Sequence, residues 1–195
     1  MSLLEIIGTV LGVVGVVLMI RQNVWAWPVG LVQVVVSAAV FLGAKLYSDV
    51  LLQIFFFVIQ AYGWWHWGSG QARAGATLAV TRLSGRARVV WVVVGLAVTL
   101  LWGEFMRQKT DAALPYGDAF IFIFSLMAQW WQARKYQENW VGWMVVNGVA
   151  VGVYWAKDLR LYAVLYGIFF WLALAGHREW QRRSRPVKAP ARTPA

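Results

Sequence analysis

Seven apolar stretches, each about long enough to cross a bilayer, divide this 195-residue chain. A helix needs roughly 17–25 predominantly apolar residues to span hydrocarbon. The pattern predicts spans over residues 3–20, 25–44, 46–65, 89–105, 116–133, 140–156 and 159–176. The breaks include "RQN", "AK", "RQKTDAALP", "RKYQEN" and "AKDLR", which carry the charges and turn formers that water-exposed backbone favours. The longest break is a basic loop over 68–88. Residues 181–195, rich in Arg, Pro and Ala, read as a disordered tail. The expected fold is therefore an all-α integral membrane protein with seven transmembrane helices.

Polar side chains interrupt these spans at helical spacing, so each set falls on one face. The third span carries Asp49, Gln53, Gln60 and Trp64, and the fifth carries Asp118, Phe122, Ser125, Gln129 and Gln132. The sixth carries Trp140, Trp143, Asn147 and Tyr154, the seventh Tyr162 and Tyr166, and the second only Gln33 and Ser37. Polar groups are expensive in hydrocarbon and usually face a cavity or a neighbouring helix. Gln53, Gln60 and Gln129 fit either role. Asp49 and Asp118 lie near a predicted interface, where a helix cap or ion pair competes with a gate or counter-charge. The span-end tryptophans Trp25, Trp27, Trp64, Trp65, Trp67, Trp130 and Trp131 read as interfacial anchors. Asn147 lies about 10 Å into its span at 1.5 Å per residue, below two tryptophans on the same face, and reads as a binding residue.

The chain also matches itself at an offset of 113 residues, without a gap. Arg21 falls on Arg134, Trp27 on Trp140, Phe56-Phe57 on Phe169-Phe170, Gly63 on Gly176 and Trp67 on Trp180. Equivalent helices are four spans apart and so run parallel, with the fourth helix returning the chain to its starting side. The expected organisation is a first three-helix repeat over 1–67, loop and linker helix over 68–114, and a second repeat over 115–180. Repeated bundles that enclose a polar interface are a transporter architecture. Trp143 and Asn147 fall on Gly30 and Val34, so the second repeat carries a ring and an amide that the first lacks.

Composition narrows the class. The chain is 61% hydrophobic and only 13% charged, too apolar to form a polar shell in water. Its net charge of +10 would suit nucleic acid in a soluble protein, but in a membrane protein it reports orientation and anionic lipid. Thirteen of the eighteen Lys and Arg fall on one side of the predicted topology. The positive-inside bias then puts the N-terminus outside and the C-terminus in the cytoplasm. With no Cys, two shallow His and no paired carboxylates, neither a metal site nor a nucleophile is formed, so an intramembrane enzyme is a remote alternative. No phosphate-binding GxxxxGK[ST] motif occurs, and no cofactor is implied. Carboxamides read amide and hydroxyl edges, and Trp faces stack on rings and attract cations. A planar cationic heteroaromatic with a polar substituent satisfies both.

The stretches "RQNVWAWPVGLVQVVVSAAVFLGAKLYSDVLLQIFFFVIQAYGWWHW" and "PYGDAFIFIFSLMAQWWQARKYQENWVGWMVVNG" resemble the PnuC family of bacterial vitamin transporters, and the likeness covers about residues 5–180. The resemblance implies a 3+1+3 parallel-repeat fold like that of the SWEET transporters, in a homotrimer of the inner membrane. It implies uptake of nicotinamide riboside by facilitated diffusion, with trapping by cytosolic phosphorylation that feeds NAD biosynthesis. Thiamine or another vitamin or nucleoside is the alternative. The family's Trp–Trp–Asn motif on helix six matches Trp140, Trp143 and Asn147, with Gln53 and Gln129 as the accompanying amides. Gln60, Tyr166 and Ser125 complete the expected substrate set. Asp49, Asp118, Tyr62 and Trp155 are expected as gate or counter-charge.

Overall fold

A computed structural model describes residues 3–43, 47–75 and 78–184 of the chain. Within them lie seven helices: α1 Leu3–Ile20, α2 Ala26–Gly43, α3 Tyr47–Ala74, α4 Gly85–Lys109, α5 Pro115–Ala133, α6 Asn139–Ala156 and α7 Arg160–Arg183. The side chains of Glu5 and Asp49 and the tail beyond 184 lie outside the described residues. By length and hydropathy, α2, α4 and α7 each suffice to cross a membrane, and α1 contributes the shorter apolar run Ile6–Ile20. The glutamines, asparagines and indoles of α3, α5 and α6 lower the mean hydropathy of those helices, and Gln53, Gln60, Gln129, Gln132 and Asn147 among them are buried.

About half of the expected 68–88 loop is helix. α3 continues past its apolar segment to Ala74, and α4 starts at Gly85 with Ser84 as its N-cap, the hydroxyl accepting from Ala87 N–H at 3.2 Å. Residues 78–84 form a docked strap. Thr81 N–H donates to Lys135 O at 3.1 Å and Gln137 N–H to Thr81 O at 2.9 Å. Glu138 then accepts from Leu83 N–H and pairs with Arg88 at 2.9 Å. A carboxylate in the α5–α6 turn thus fixes the chain that leads into α4.

Helices α1, α2 and α3 pack in sequence, as do α5, α6 and α7, while α4 lies on α5. The two groups meet where α3 packs on α5 and α1 on α7. Positions 113 apart take the same local form. α2 and α6 begin at 26 and 139 and end at 43 and 156, and α3 and α7 begin at 47 and 160. Gln22 and Lys135, with φ of 57° and 58°, occupy equivalent left-handed positions after α1 and α5. Each is followed by the same carbonyl capping, Asn23 N–H to Leu18 O at 3.0 Å and Tyr136 N–H to Trp131 O at 2.9 Å.

Next to these turns is a four-indole core. Trp27 meets Trp67 edge to face at 5.3 Å, and Trp140 meets Trp180 the same way at 5.4 Å. Trp67 and Trp180 then touch each other at 5.9 Å across the two groups. Gly63 and Gly176 are the notches that make this possible: a Cβ on either would lie 2.5 Å from the ring of Trp27 or Trp140. Inside a bilayer, close packing replaces hydrophobic burial as the force between helices, so these ring-on-glycine contacts carry much of the cohesion. Trp27, Trp67 and Trp131 are therefore buried core residues and not interfacial anchors. Trp25 and Trp65 are exposed, as an anchor requires.

Candidate functional site

A cavity of about 230 Å³ lies between the two helix groups, nearer the α1–α2 and α5–α6 turns than the opposite ends. Its floor is the indole core, through Trp27 and Trp140. Its walls bring together Gln60 of α3, Gln129 and Gln132 of α5, Trp143 and Asn147 of α6, and Tyr166 of α7. Phe56 and Phe169, an equivalent pair, and Gln33 of α2 complete the polar and aromatic lining. Among the described residues, none that lines it carries a formal charge.

The lining is asymmetric in a size-compensated way. On α6 and α7 the lining includes Trp143 and Ala173, whereas the equivalent positions on α2 and α3 are Gly30 and Gln60. Gln60 lies so close over Gly30 that a Cβ there would collide with its amide oxygen. Large and small have exchanged helices between the halves, so a ring faces in from one side and a carboxamide from the other. Trp140 offers only its ring, because its indole N–H is buried away from the cavity without a partner among the described residues. The Trp143 N–H is also engaged, donating to Gln132 Oε1 at 2.6 Å. Gln60, Gln129 and Asn147, all at least nine-tenths buried, present amides to the cavity.

Other expected site residues lie elsewhere. Gln53 and Ser125 are buried but do not line this cavity. Asp118 forms an ion pair with Lys157, at 2.6 and 2.7 Å, tying α5 to the end of α6. Tyr62 stacks between His66 and Trp130 and accepts from Arg134 at 2.9 Å. Trp155 is exposed, with the Arg160 guanidinium 3.9 Å over its ring. Reading the sequence alone passed over Gln33, Gln132, Trp27, Phe56 and Phe169 as site residues. Gln132 follows Gln129 by three positions on one stripe, and Phe56/Phe169 is a repeat pair, so both signals were present.

An uncharged, amide-rich and aromatic cavity in a bundle of apolar helices suits a small organic solute, and comparison with known proteins agrees. Residues 2–182 match the family described as nicotinamide mononucleotide transporter. The chain belongs to that family. Its members are transporters and not enzymes, and they include the PnuC proteins. The nicotinamide riboside transporter PnuC of Escherichia coli is 25% identical over 95% of this chain and 87% of its own length. The riboflavin/roseoflavin transporter RibM of Streptomyces davaonensis is 29% identical over 95% and 88%. A crystal structure of the vitamin B3 transporter PnuC shares the fold, with a TM-score of 0.73 at 24% identity over 94% of this chain and 82% of that one. Apolar helices in a family of this kind place the protein in a bacterial inner membrane.

Proposed function

We propose that this PnuC-family protein carries nicotinamide riboside across the inner membrane by alternating access. One observation carries the reading: the family's Trp143 and Asn147 share a single uncharged cavity with the Gln129, Gln132 and Gln60 amides. Nicotinamide riboside has a pyridinium for the Trp143 face, and a carboxamide and ribose for the amides. The absence of any cationic residue from the lining among the described residues favours the riboside over its phosphorylated mononucleotide. A phosphate dianion there would lose its water with nothing to replace it. Substrate-binding residues in this reading are Trp140, Trp143, Asn147, Gln129, Gln60 and Tyr166. Riboflavin is the second reading, supported by the 29% identity to RibM.

Further features of the reading are a 3+1+3 pair of parallel repeats of the SWEET kind, with the repeats at 1–67 and 115–180, and assembly as a homotrimer. The basic turns and tail face the cytoplasm and the N-terminus faces outward. On that orientation the four-indole core closes the cytoplasmic side. Rocking of the two bundles would open it, with no ion or nucleotide driving the step and phosphorylation in the cytosol trapping the product. Titration of the purified protein with nicotinamide riboside, its mononucleotide, thiamine and riboflavin, followed by Trp fluorescence, tests the substrate. Saturable binding of the riboside and none of the mononucleotide is expected. Tight mononucleotide binding would overturn the reading.

A further inference from the structure

The Trp143–Gln132 contact fixes more than the position of a ring. An indole N–H donates and never accepts, so the Gln132 atom 2.6 Å from Trp143 Nε1 is the carbonyl oxygen. The orientation of this carboxamide, usually ambiguous, is set by chemistry here. The oxygen is taken, and Nε2 is left with two hydrogens and no hydrogen-bond partner among the described residues. Gln132 is about nine-tenths buried and lines the cavity beside Gln129, so those hydrogens meet whatever the cavity holds. Trp143, in turn, has spent its single donor and offers only its face. Gln132 and Trp143 form one unit, a stacking face with a donor edge beside it. The equivalent positions, Met19 and Gly30, also line the cavity but supply neither face nor donor, so this edge exists on one side only.

We propose that Gln132 is a specificity-determining residue that, held by Trp143, presents a donor-only edge selecting ligands with an acceptor oxygen beside the stacked ring. The inference rests on the cavity being the substrate site and deepens that reading. For nicotinamide riboside the acceptor is the carboxamide oxygen. For riboflavin it is a ring carbonyl.

The test is a ratio. Binding of nicotinamide riboside and of the pyridinium riboside lacking its carboxamide is titrated against the parent, Gln132→Glu and Gln132→Met. Both ligands carry the same positive charge, so any attraction to the introduced carboxylate cancels. The parent should prefer the intact riboside by about tenfold, the scale of one buried hydrogen bond. Both variants should lose that preference while holding the truncated ligand about as well as before, apart from the shared charge effect. Trp143→Phe, which keeps a ring but releases Gln132, should weaken the preference in the parent background and change nothing further in Gln132→Met. A variant that keeps the full parental preference would overturn the proposal. If the parent binds neither riboside, the nicotinamide reading fails, and Gln132 is judged on riboflavin. Weakening of about tenfold in both variants then supports it, and undiminished binding overturns it.

Discussion

At the scale of single residues, the cavity depends on a few amides and rings that face the space they enclose. Asn147 holds its amide deep in α6 without a hydrogen-bond partner among the described residues, so removing it should affect ligand far more than fold. Asn147→Ala is expected to weaken binding of the preferred vitamin by about tenfold or more, with the unfolding temperature in detergent little changed. Parental affinity in that variant would mean the amide does not face the substrate. Gly30 is the complementary case. Adding one methyl there drives into the Gln60 amide, and the amide can yield only into the cavity. Gly30→Ala should therefore reduce affinity with a modest loss of stability. Gly63→Ala and Gly176→Ala press instead on the rigid rings of Trp27 and Trp140. Each should cost about 1–3 kcal/mol, seen as a lower unfolding temperature.

Between elements, the two helix groups are fastened by a reciprocal pair of bonds. Trp67 of α3 donates its indole N–H to Ala133 O at the end of α5, at 3.1 Å. Trp180 of α7 donates to Met19 O near the end of α1, also at 3.1 Å. Carbonyls in the last turn of a helix lack intrahelical donors; the Trp67 indole satisfies Ala133 O, while Met19 O accepts from Trp180 in addition to Gln22 N–H at 2.9 Å. The bonds lie directly beneath the cavity floor and span the surfaces that must part if the bundles rock. Trp67→Phe and Trp180→Phe keep an aromatic ring but lose the bond and the volume of the indole's second ring. Each should cost about 1–3 kcal/mol and increase labelling of a cysteine introduced on the floor from the side of the α1–α2 turn. Unchanged labelling in both would remove this layer as the closing element.

For the molecule as a whole, the strap and the α5–α6 turn enclose a cation that no carboxylate neutralises among the described residues. Lys135 is almost completely buried and lies 4.4 Å over the Trp67 ring. Burial, with the neighbouring Arg183 charge, lowers its pKa from 10.5 to about 8. The unfolded chain then binds the extra proton between those values, so stability should rise as pH increases from about 8 to about 10.5. Thermal unfolding across that window should show the rise, and Lys135→Met should flatten it while stabilising the protein at neutral pH. A parental slope in that variant would assign the effect to another group.

The sequence by itself determined the membrane class, seven helices, most of their ends and the offset of 113 residues. These follow from bilayer thickness, turn chemistry and a shared register of Trp, Gly and Phe, all local or periodic signals. It also selected the stripe on α5 and the Trp143–Asn147 pair, because helical spacing alone puts such residues on one face. Only the tertiary structure decided which polar faces meet. Gln53 and Gln60 share a stripe seven residues apart, yet of the two only Gln60 lines the cavity, where it packs over Gly30 of α2. Asp118 met Lys157 instead of the cavity, since the end of α6 lies beside the start of α5. Trp27 and Trp67 were indistinguishable from interfacial anchors until Gly63 and the opposing bundle enclosed them. Which long-range neighbour fills a notch or accepts a hydrogen bond is a property of packing between helices, and a one-dimensional pattern holds no record of it.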